Sequence, residues 1–243
     1  MSTSPLHRSK NTQDKSSIML SPLQISWQFV HDRLVEETGK EAYKFITRHV
    51  DLDAKDTYIV STTTRFNITY NASNDSKGLV NLARVNDIRY INKFFESVNA
   101  KLENGGCFVG CAETKDLRKQ RILNKFPWGI NYIMYSLDFT IKRIFPKFAL
   151  TKRLYFFLTR GNNRVLTRAE VMGRLYSCGF EVEDEQFLNG RLYFAARKRK
   201  RPSYDLNPTY GPLVRLKRLG KDGKVIKVYK FRTMHPFAEY LQE

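Results

Sequence analysis

An apolar stripe between Asp87 and Leu102 is the clearest periodic feature of the chain. Apolar side chains recur there at steps of three and four, the spacing of one face of an α-helix, and the stripe stops at residues 104–106, Asn-Gly-Gly. The apolar run of residues 107–111 follows at once and predicts a short strand buried in a mainly parallel sheet. The stripe consists of Ile88, Ile91, Phe95, Val98 and Leu102.

The first third of the chain is less regular. Residues 1–20 are polar and lack the apolar run of a secretory signal, so we predict that they are disordered. The pattern predicts helices over residues 27–38 and 41–50 and a strand over residues 57–63.

Further along, a second helix leads into a pair of strands. Thr167 and Glu170 have the spacing of a capping box, and Gly179 marks the end of the helix that it begins. Two short strands joined by an Asn-Gly turn follow, and an acidic pair between them is expected in a loop. The strands are residues 180–183 and 191–197, the turn is Asn189 and Gly190, and the acidic pair is Asp184 and Glu185.

Residues 211–234 predict a basic β-hairpin. Lys221-Asp222-Gly223-Lys224 has the chemistry of a tight turn between residues 214–219 and residues 225–233, which alternate apolar and basic positions. Because side chains alternate faces along a strand, Lys230 and Arg232 share one face, together with Ile226 and Val228. An ammonium beside a guanidinium suits a phosphate or pyrophosphate. A solvated basic edge strand is the alternative interpretation.

Charge narrows the class of partner. The 243 residues carry a net charge of +18, with basic concentrations at residues 115–121, 142–153 and 197–201. Nucleic acid, anionic lipid headgroups and phosphorylated substrates all fit such a charge. The wide spread of the cations favours a membrane-facing or phosphate-handling surface over a nucleic-acid groove.

Residues 128–148 resemble an interfacial membrane element. The segment is too polar for a spanning helix, since Asn131, Asp138, Lys142, Arg143 and Lys147 interrupt it. Aromatic side chains and cations together suit an anionic membrane surface. An aromatic-rich helix that packs on the domain is the alternative. The aromatic residues are Trp128, Tyr132, Tyr135, Phe139, Phe145 and Phe148.

The cysteines and histidines predict neither a disulfide nor a metal centre. Three cysteines are an odd number and suggest a reducing compartment. Cys107 and Cys111 would share one strand face, but no partners stand at tetrahedral-site spacing, and Cys178 is expected in the core. The four histidines show no pairing with a Ser, Cys or carboxylate motif.

The hairpin resembles the opening of the bacterial sugar transferase family, the polyprenyl-phosphate phosphoglycosyltransferases. The resemblance covers roughly the last 35 residues, and its matched positions are Gly211, Pro212, Arg218, Gly220, Gly223, Lys230, Phe231, Arg232, Thr233 and Met234. It implies transfer of a sugar-1-phosphate from a nucleotide sugar to polyprenyl phosphate in exopolysaccharide, capsule or glycoconjugate biosynthesis. It also implies that Arg218, Gly220, Lys230, Arg232 and Thr233 bind the substrate phosphate.

Two departures from that family limit the resemblance. The family's nucleophilic Asp and Mg²⁺-binding Glu have no counterpart after Met234, so no catalytic residue is assigned and the Mg²⁺ ligands are not in this chain. The membrane-dipping helix that usually precedes the family's opening is replaced by the basic run of residues 197–201. We therefore expect no activity from this chain alone, and whether it is an enzyme stays open.

Residues 80–200 resemble the C-terminal half of a class I S-adenosylmethionine-dependent methyltransferase, through residues 102–114, LENGGCFVGCAET, and 178–198, CGFEVEDEQFLNGRLYFAARK. No Gly-x-Gly loop occurs in residues 1–80, so we expect S-adenosylmethionine to bind weakly or not at all. The predicted fold is α/β, a methyltransferase-like (Rossmann-like) sheet with helices plus a C-terminal basic β-hairpin.

The predicted domains are a disordered N-terminus (1–20), a degenerate methyltransferase-like domain (21–196), a basic linker (197–210) and the start of a sugar transferase domain (211–243). The alternatives in function are an S-adenosylmethionine-dependent methyltransferase and a noncatalytic basic module that binds membrane or nucleic acid. Nucleic acid is the least favoured partner. The predicted location is cytoplasmic, peripheral to the inner face of the cell membrane.

Overall fold

A five-stranded mixed sheet forms the centre of the computed structural model, which describes residues 22–71, 74–204, 213–235 and 237–241. The strand order is β1-β2-β3-β5-β4. β1, β2 and β3 are parallel, and β5 is inserted antiparallel between β3 and β4, so β4 again points the same way as β3. The strands are β1 (Thr57–Val60), β2 (Ser76–Arg84), β3 (Leu102–Ala112), β4 (Phe180–Leu188) and β5 (Arg191–Lys198).

Eight α-helices accompany the strands in the described part of the chain, and a π-helical segment, Thr140–Ile144, follows the sixth. α1 and α2 precede the sheet, α3 and α4 connect its parallel strands, and α5, α6, α7 and α8 fill the long connection between β3 and β4. Their bounds are α1 (Pro22–Thr38), α2 (Lys40–His49), α3 (Arg65–Asn71), α4 (Ile91–Lys101), α5 (Lys115–Lys125), α6 (Ile130–Phe139), α7 (Ala149–Thr159) and α8 (Arg168–Ser177).

Apolar side chains cover both faces of the sheet. On one face Phe108 and Phe194 pack edge-to-face at 5.7 Å between ring centroids, beneath the apolar sides of α3, α4 and α8. On the other face, Cys107, Val109 and Cys111 all pack toward α1 and α2, because side chains two residues apart share a strand face. The predicted α/β sheet with helices is confirmed.

The C-terminal hairpin is also confirmed. β6 (Leu213–Leu219) pairs antiparallel with β7 (Val225–Phe231). Asp222 and Gly223 in the turn have φ of 61° and 71°, the left-handed conformation that an Asp-Gly turn supplies at low cost. β7 ends two residues before the predicted boundary, so Arg232 and Thr233 lie beyond the strand. Gly211 and Pro212 lie outside the described residues.

Several predicted elements keep their type but change their ends. The helix predicted from Asp87 begins at Ile91, because residues 85–87 form a separate 3₁₀ turn. Thr167 accepts a hydrogen bond from the backbone N–H of Glu170 at 3.2 Å, which confirms half of the capping box.

Two expectations about polar residues are wrong. Asp184 and Glu185 lie within β4, not in a loop, because β4 continues as far as the Asn-Gly turn. Histidines do pair with carboxylates across long stretches of sequence. His49 lies 3.0 Å from Asp184, and His31 lies 3.0 Å from Asp53.

The predicted domain boundaries fall largely on undescribed segments or remain predictions. The N-terminal stretch 1–20 and residues 205–210 of the linker lie outside the described residues. The start of the linker overlaps β5, which continues to Lys198. Arg197 and Arg199 pair with Glu183 and Glu181 of β4, so these two cations are neutralised locally.

Candidate functional site

Loops at the carboxyl ends of β2 and β3 meet in a buried polar network. Arg118 on α5 donates two parallel hydrogen bonds to Asp138 on α6, at 2.6 and 2.7 Å, and a third to Glu113 at 3.2 Å. Burial opposes ionisation of Asp138, but Arg118 offsets it and keeps the pKa of the carboxyl below its usual value. Each charge in this cluster has a partner, so its role is to fasten α5 and α6 to the sheet.

A second buried cluster is centred on Glu170 in the first turn of α8. One carboxylate oxygen accepts a hydrogen bond from Arg143 at 2.5 Å, and the other accepts one from Arg174 at 2.9 Å. Burial raises the pKa of this carboxyl, but Arg174 and Arg143 more than offset that effect and lower it to about 2. Glu170 is therefore ionised at neutral pH, and it holds two arginines in fixed positions.

These arginines form part of the wall of a cleft of about 1570 Å³. Its lining includes ten lysines and arginines but only two carboxylates, Glu96 and Glu170. Tyr90, Phe156 and Phe157 add an aromatic wall. The cleft lies beside the loop that leaves β2, and ligands of α/β proteins commonly bind at the carboxyl ends of such strands. The cations are Arg89, Lys93, Lys142, Arg143, Lys147, Lys152, Arg153, Arg160, Arg164 and Arg174.

Beside the cleft, α6 and α7 present apolar side chains to solvent. Five exposed side chains of α6 and the following turn recur at steps of three and four, so they form one continuous helical stripe. Trp128 before α6 is 89% exposed and Phe157 on α7 is 81% exposed. We call this surface the apolar face: Trp128, Ile130, Ile133, Met134, Leu137, Ile141, Leu154, Phe157 and Leu158.

The apolar face revises the composition of the predicted interfacial element. Tyr135 and Phe139 are half-buried, whereas the other predicted aromatic residues are exposed, and so are the neighbouring apolar residues Ile133, Met134 and Leu137. No helix in the described ranges is long and apolar enough to cross a membrane.

The predicted phosphate-binding residues of the hairpin are spread along its length. Arg218 lies opposite Ile226, and Lys230 lies opposite Val214, four residues further along β7. At a rise of about 3.3 Å per residue this separation is roughly 13 Å, although the two side chains share a face. Gly220 donates its N–H to Lys224 at 2.8 Å, which closes the turn.

Beyond β7, the chain returns to the cleft. The charge of Arg232 contributes to lowering the pKa of Lys147, after burial and the nearby Arg143. Phe237 is buried, and the guanidinium of Arg174 lies 4.4 Å from its ring centroid. Arg232 thus lies near Lys147 without lining the cleft, while Arg218, Lys230 and Thr233 are exposed.

The loop that follows β1 is where a methyltransferase of this topology would hold its cofactor, according to the sequence resemblance. Residues 61–64 contain no glycine, and Asn81 of β2 pins the loop through two hydrogen bonds of 3.0 Å with the backbone of Thr62. This loop lines neither the cleft beside the β2 loop nor the smaller cavity bounded by His49, Lys77 and Arg197.

Metal and thiol chemistry have little support in the described part of the chain. No group of three or more His, Cys, Asp or Glu side chains is placed to hold a metal ion there. All three cysteines are free and buried, as predicted for Cys178. Burial raises the pKa of Cys107 to about 11, so its reactive thiolate is scarce at neutral pH.

Comparison with known proteins finds distant likeness only. No family model matches the chain, and no curated protein matches it. A possible exported protein from Bordetella parapertussis is 15% identical over 55% of this chain and 42% of its own, with a TM-score of 0.32. The chain thus spans less than half of that protein.

Two further solved structures cover more of the chain. A S-adenosylmethionine-dependent methyltransferase from Thermotoga maritima, a possible histamine N-methyltransferase, is 10% identical over 73% of this chain and 98% of its own, with a TM-score of 0.37. The [4+2]-cyclase SpnF is 10% identical over 72% of this chain and 82% of its own, with a TM-score of 0.35. We base no function on likenesses this weak.

The predicted membership of the sugar transferase family is wrong on these comparisons. No family model and no curated protein supports it. The predictions of a sugar-1-phosphate transferase and of a role in polysaccharide biosynthesis depended on that membership and are also wrong. The physical reason is that the resemblance depended on a short alternating basic hairpin, and β7 of that hairpin is exposed throughout.

Proposed function

We propose that the chain is a noncatalytic peripheral membrane module, an α/β domain that lies on an anionic bilayer through α6, α7 and the turn between them. The observation that carries the proposal is the apolar face. The stripe along α6 is one continuous apolar surface, and monomeric soluble proteins rarely expose such patches unless the patch is used for binding. Aromatic and aliphatic side chains beside cations are typical of interfacial helices.

Charge favours a membrane over a protein partner. Residues 128–160 contain six lysines and arginines and a single acid, Asp138. Asp138 is held by Arg118 and Lys142, so it cannot offset the remaining cations of the segment. An anionic leaflet attracts such a surface by about 1 kcal/mol for each cation near it. This arrangement supports attachment to the inner face of the cell membrane.

The test is sedimentation with vesicles, with neutral and anionic lipids compared at low and high salt. A Trp128→Ser and Phe157→Ser double variant is expected to lose most binding, since burying each ring contributes about 1.5–3 kcal/mol. Phe187→Ser is the matched control, because Phe187 is an exposed aromatic residue on β4. Equal loss in both variants, or equal binding to neutral and anionic vesicles, contradicts the proposal.

A S-adenosylmethionine-dependent methyltransferase is the second candidate function. The position of the cleft beside the loop that leaves β2 favours it, whereas the glycine-free loop after β1, held by Asn81, disfavours cofactor binding. Calorimetric titration with S-adenosylmethionine decides between the two. We expect no binding, and micromolar binding would make the methyltransferase the leading interpretation.

A further inference from the structure

The cleft concentrates positive charge that nearby carboxylates neutralise only in part, by pairing Arg143 and Arg174 with Glu170 and Lys142 with Asp138. Ten lysines and arginines line the cleft, but only two glutamates do. Both carboxylate oxygens of Glu170 already accept hydrogen bonds, from Arg143 and Arg174. In the described residues, Lys147, Lys152 and Arg153 form no ion pair with a carboxylate. Like charges held together in this way favour a bound anion.

Lys147 is the most informative of these cations. It lies on the turn between α6 and α7 and is half-buried, four residues after Arg143. Burial lowers the pKa of its ammonium, and the neighbouring Arg143 and Arg232 lower it further. A charged ammonium that is half-buried beside other cations lowers the stability of the folded protein. Residues that lower stability in this way are characteristic of binding sites.

The walls of the cleft indicate the class of ligand. Tyr90, Phe156 and Phe157 give an apolar side, and the guanidinium of Arg89 lies 5.7 Å from the ring centroid of Phe156. The cavity is far larger than one phosphate ion, so the anionic group would belong to a larger molecule with an apolar portion. Arginine and lysine together are the usual partners of phosphate.

We propose that this cleft binds a phosphate ester, with Lys147 inside the cleft and Lys152 and Arg153 at its rim contacting the phosphate, and the aromatic wall contacting the rest of the ligand. The ligand is a lipid headgroup or a soluble phosphate ester, since both offer the same chemistry. The first source rests on the proposed membrane function, and the second is independent of it.

The test uses inorganic pyrophosphate as the soluble probe, without vesicles. Calorimetry at low salt is expected to detect binding to the whole chain, and thermal unfolding should shift upward with the probe. Lys147→Met is expected to weaken binding at least about tenfold, because it removes a charge-assisted contact. The variant should unfold at the same temperature or higher, since the lost charge was destabilising.

Two further variants keep the test decisive. Arg153→Gln changes an exposed rim cation and is expected to weaken binding even if Lys147→Met does not fold. Lys227→Gln on β7 removes an exposed cation outside the cleft and is expected to leave binding unchanged. Equal loss in Lys227→Gln, or no effect of the two cleft variants, overturns the proposal.

Vesicles then distinguish the sources. A preference for phosphatidic acid over phosphatidylglycerol that Lys147→Met abolishes assigns the site to a lipid headgroup. Pyrophosphate binding that phosphatidic acid does not displace assigns it to a soluble ester. Oligonucleotide binding that depends on Lys147, without competition by pyrophosphate, overturns the proposal in favour of nucleic acid. Loss of vesicle binding in a Trp128→Ser single variant, at a residue that does not line the cleft, bears only on the membrane function.

Discussion

Replacing Glu170 tests the electrostatic centre of the domain. Its carboxyl has a pKa of about 2 in the folded protein against an ordinary value of 4.5. A difference of about 2.5 pKa units corresponds to about 3 kcal/mol of stability. Because the pKa is lowered on folding, this contribution is complete above the ordinary pKa and is lost as the pH falls toward 2. About 2 kcal/mol of it is gone by pH about 3.

The Glu170→Gln variant removes the charge at every pH. It leaves Arg143 and Arg174 buried without their carboxylate, which costs about 3–5 kcal/mol at neutral pH. As the pH falls below about 4.5, the unfolded natural chain takes up a proton at Glu170 while the folded chain, whose pKa is about 2, stays ionised, so the stability difference between the natural chain and the variant is expected to shrink. Urea unfolding followed by circular dichroism, repeated between neutral pH and pH about 3, measures that difference.

Two controls sharpen this experiment. Glu181→Gln removes a half-exposed carboxylate that pairs with Arg199 at 2.6 Å, and it should cost less than about 1 kcal/mol. Arg143→Met keeps Glu170 paired with Arg174 and should show a smaller pH-dependent loss, which remains measurable if the Gln variant does not fold. A difference between the natural chain and Glu170→Gln that stays constant with pH would refute the reasoning.

Three more predictions concern other parts of the domain. Gly179→Ala should cost more than about 3 kcal/mol in urea unfolding, because Gly179 has φ of 86° and an added Cβ would lie 2.1 Å from the backbone oxygen of Lys200. Arg118→Met should cost about 3–5 kcal/mol, since it leaves Asp138 without its bidentate partner. Cys107 should react with iodoacetamide far more slowly in the folded chain than in urea, because burial raises its pKa to about 11; equal rates would contradict its burial.

Short-range patterns were enough to predict the elements of the fold. The stripe of α4, the apolar run of β3 and the Asp222-Gly223 turn all appear where period and turn chemistry place them. These features depend on neighbouring residues alone. The errors arose where contacts between distant residues set the ends of an element. β4 extends through Asp184 and Glu185 because β5 pairs with it along its whole length.

Partnerships between distant residues could not be predicted in the same way. His49 and Asp184 are 135 residues apart, and Glu170 and Arg143 are 27 apart. No spacing rule links such positions, since the fold brings them together. The only signal in the sequence was the excess of cations in residues 142–153, which points to an anionic partner but not to a site.

Tertiary pairing also changes which cations are available to a ligand. The basic run of residues 197–201 has the densest positive charge in the sequence, yet Arg197 and Arg199 form ion pairs with Glu183 and Glu181. Residues 128–160 contain fewer consecutive cations, but their single acid is held within the domain. By the density of cations along the sequence, residues 197–201 are the more basic segment. After internal ion pairs are taken into account, residues 128–160 retain more positive charge. The surface beside α6 and α7, where unpaired cations coincide with exposed apolar side chains, is therefore the place where an anionic partner gains most on binding.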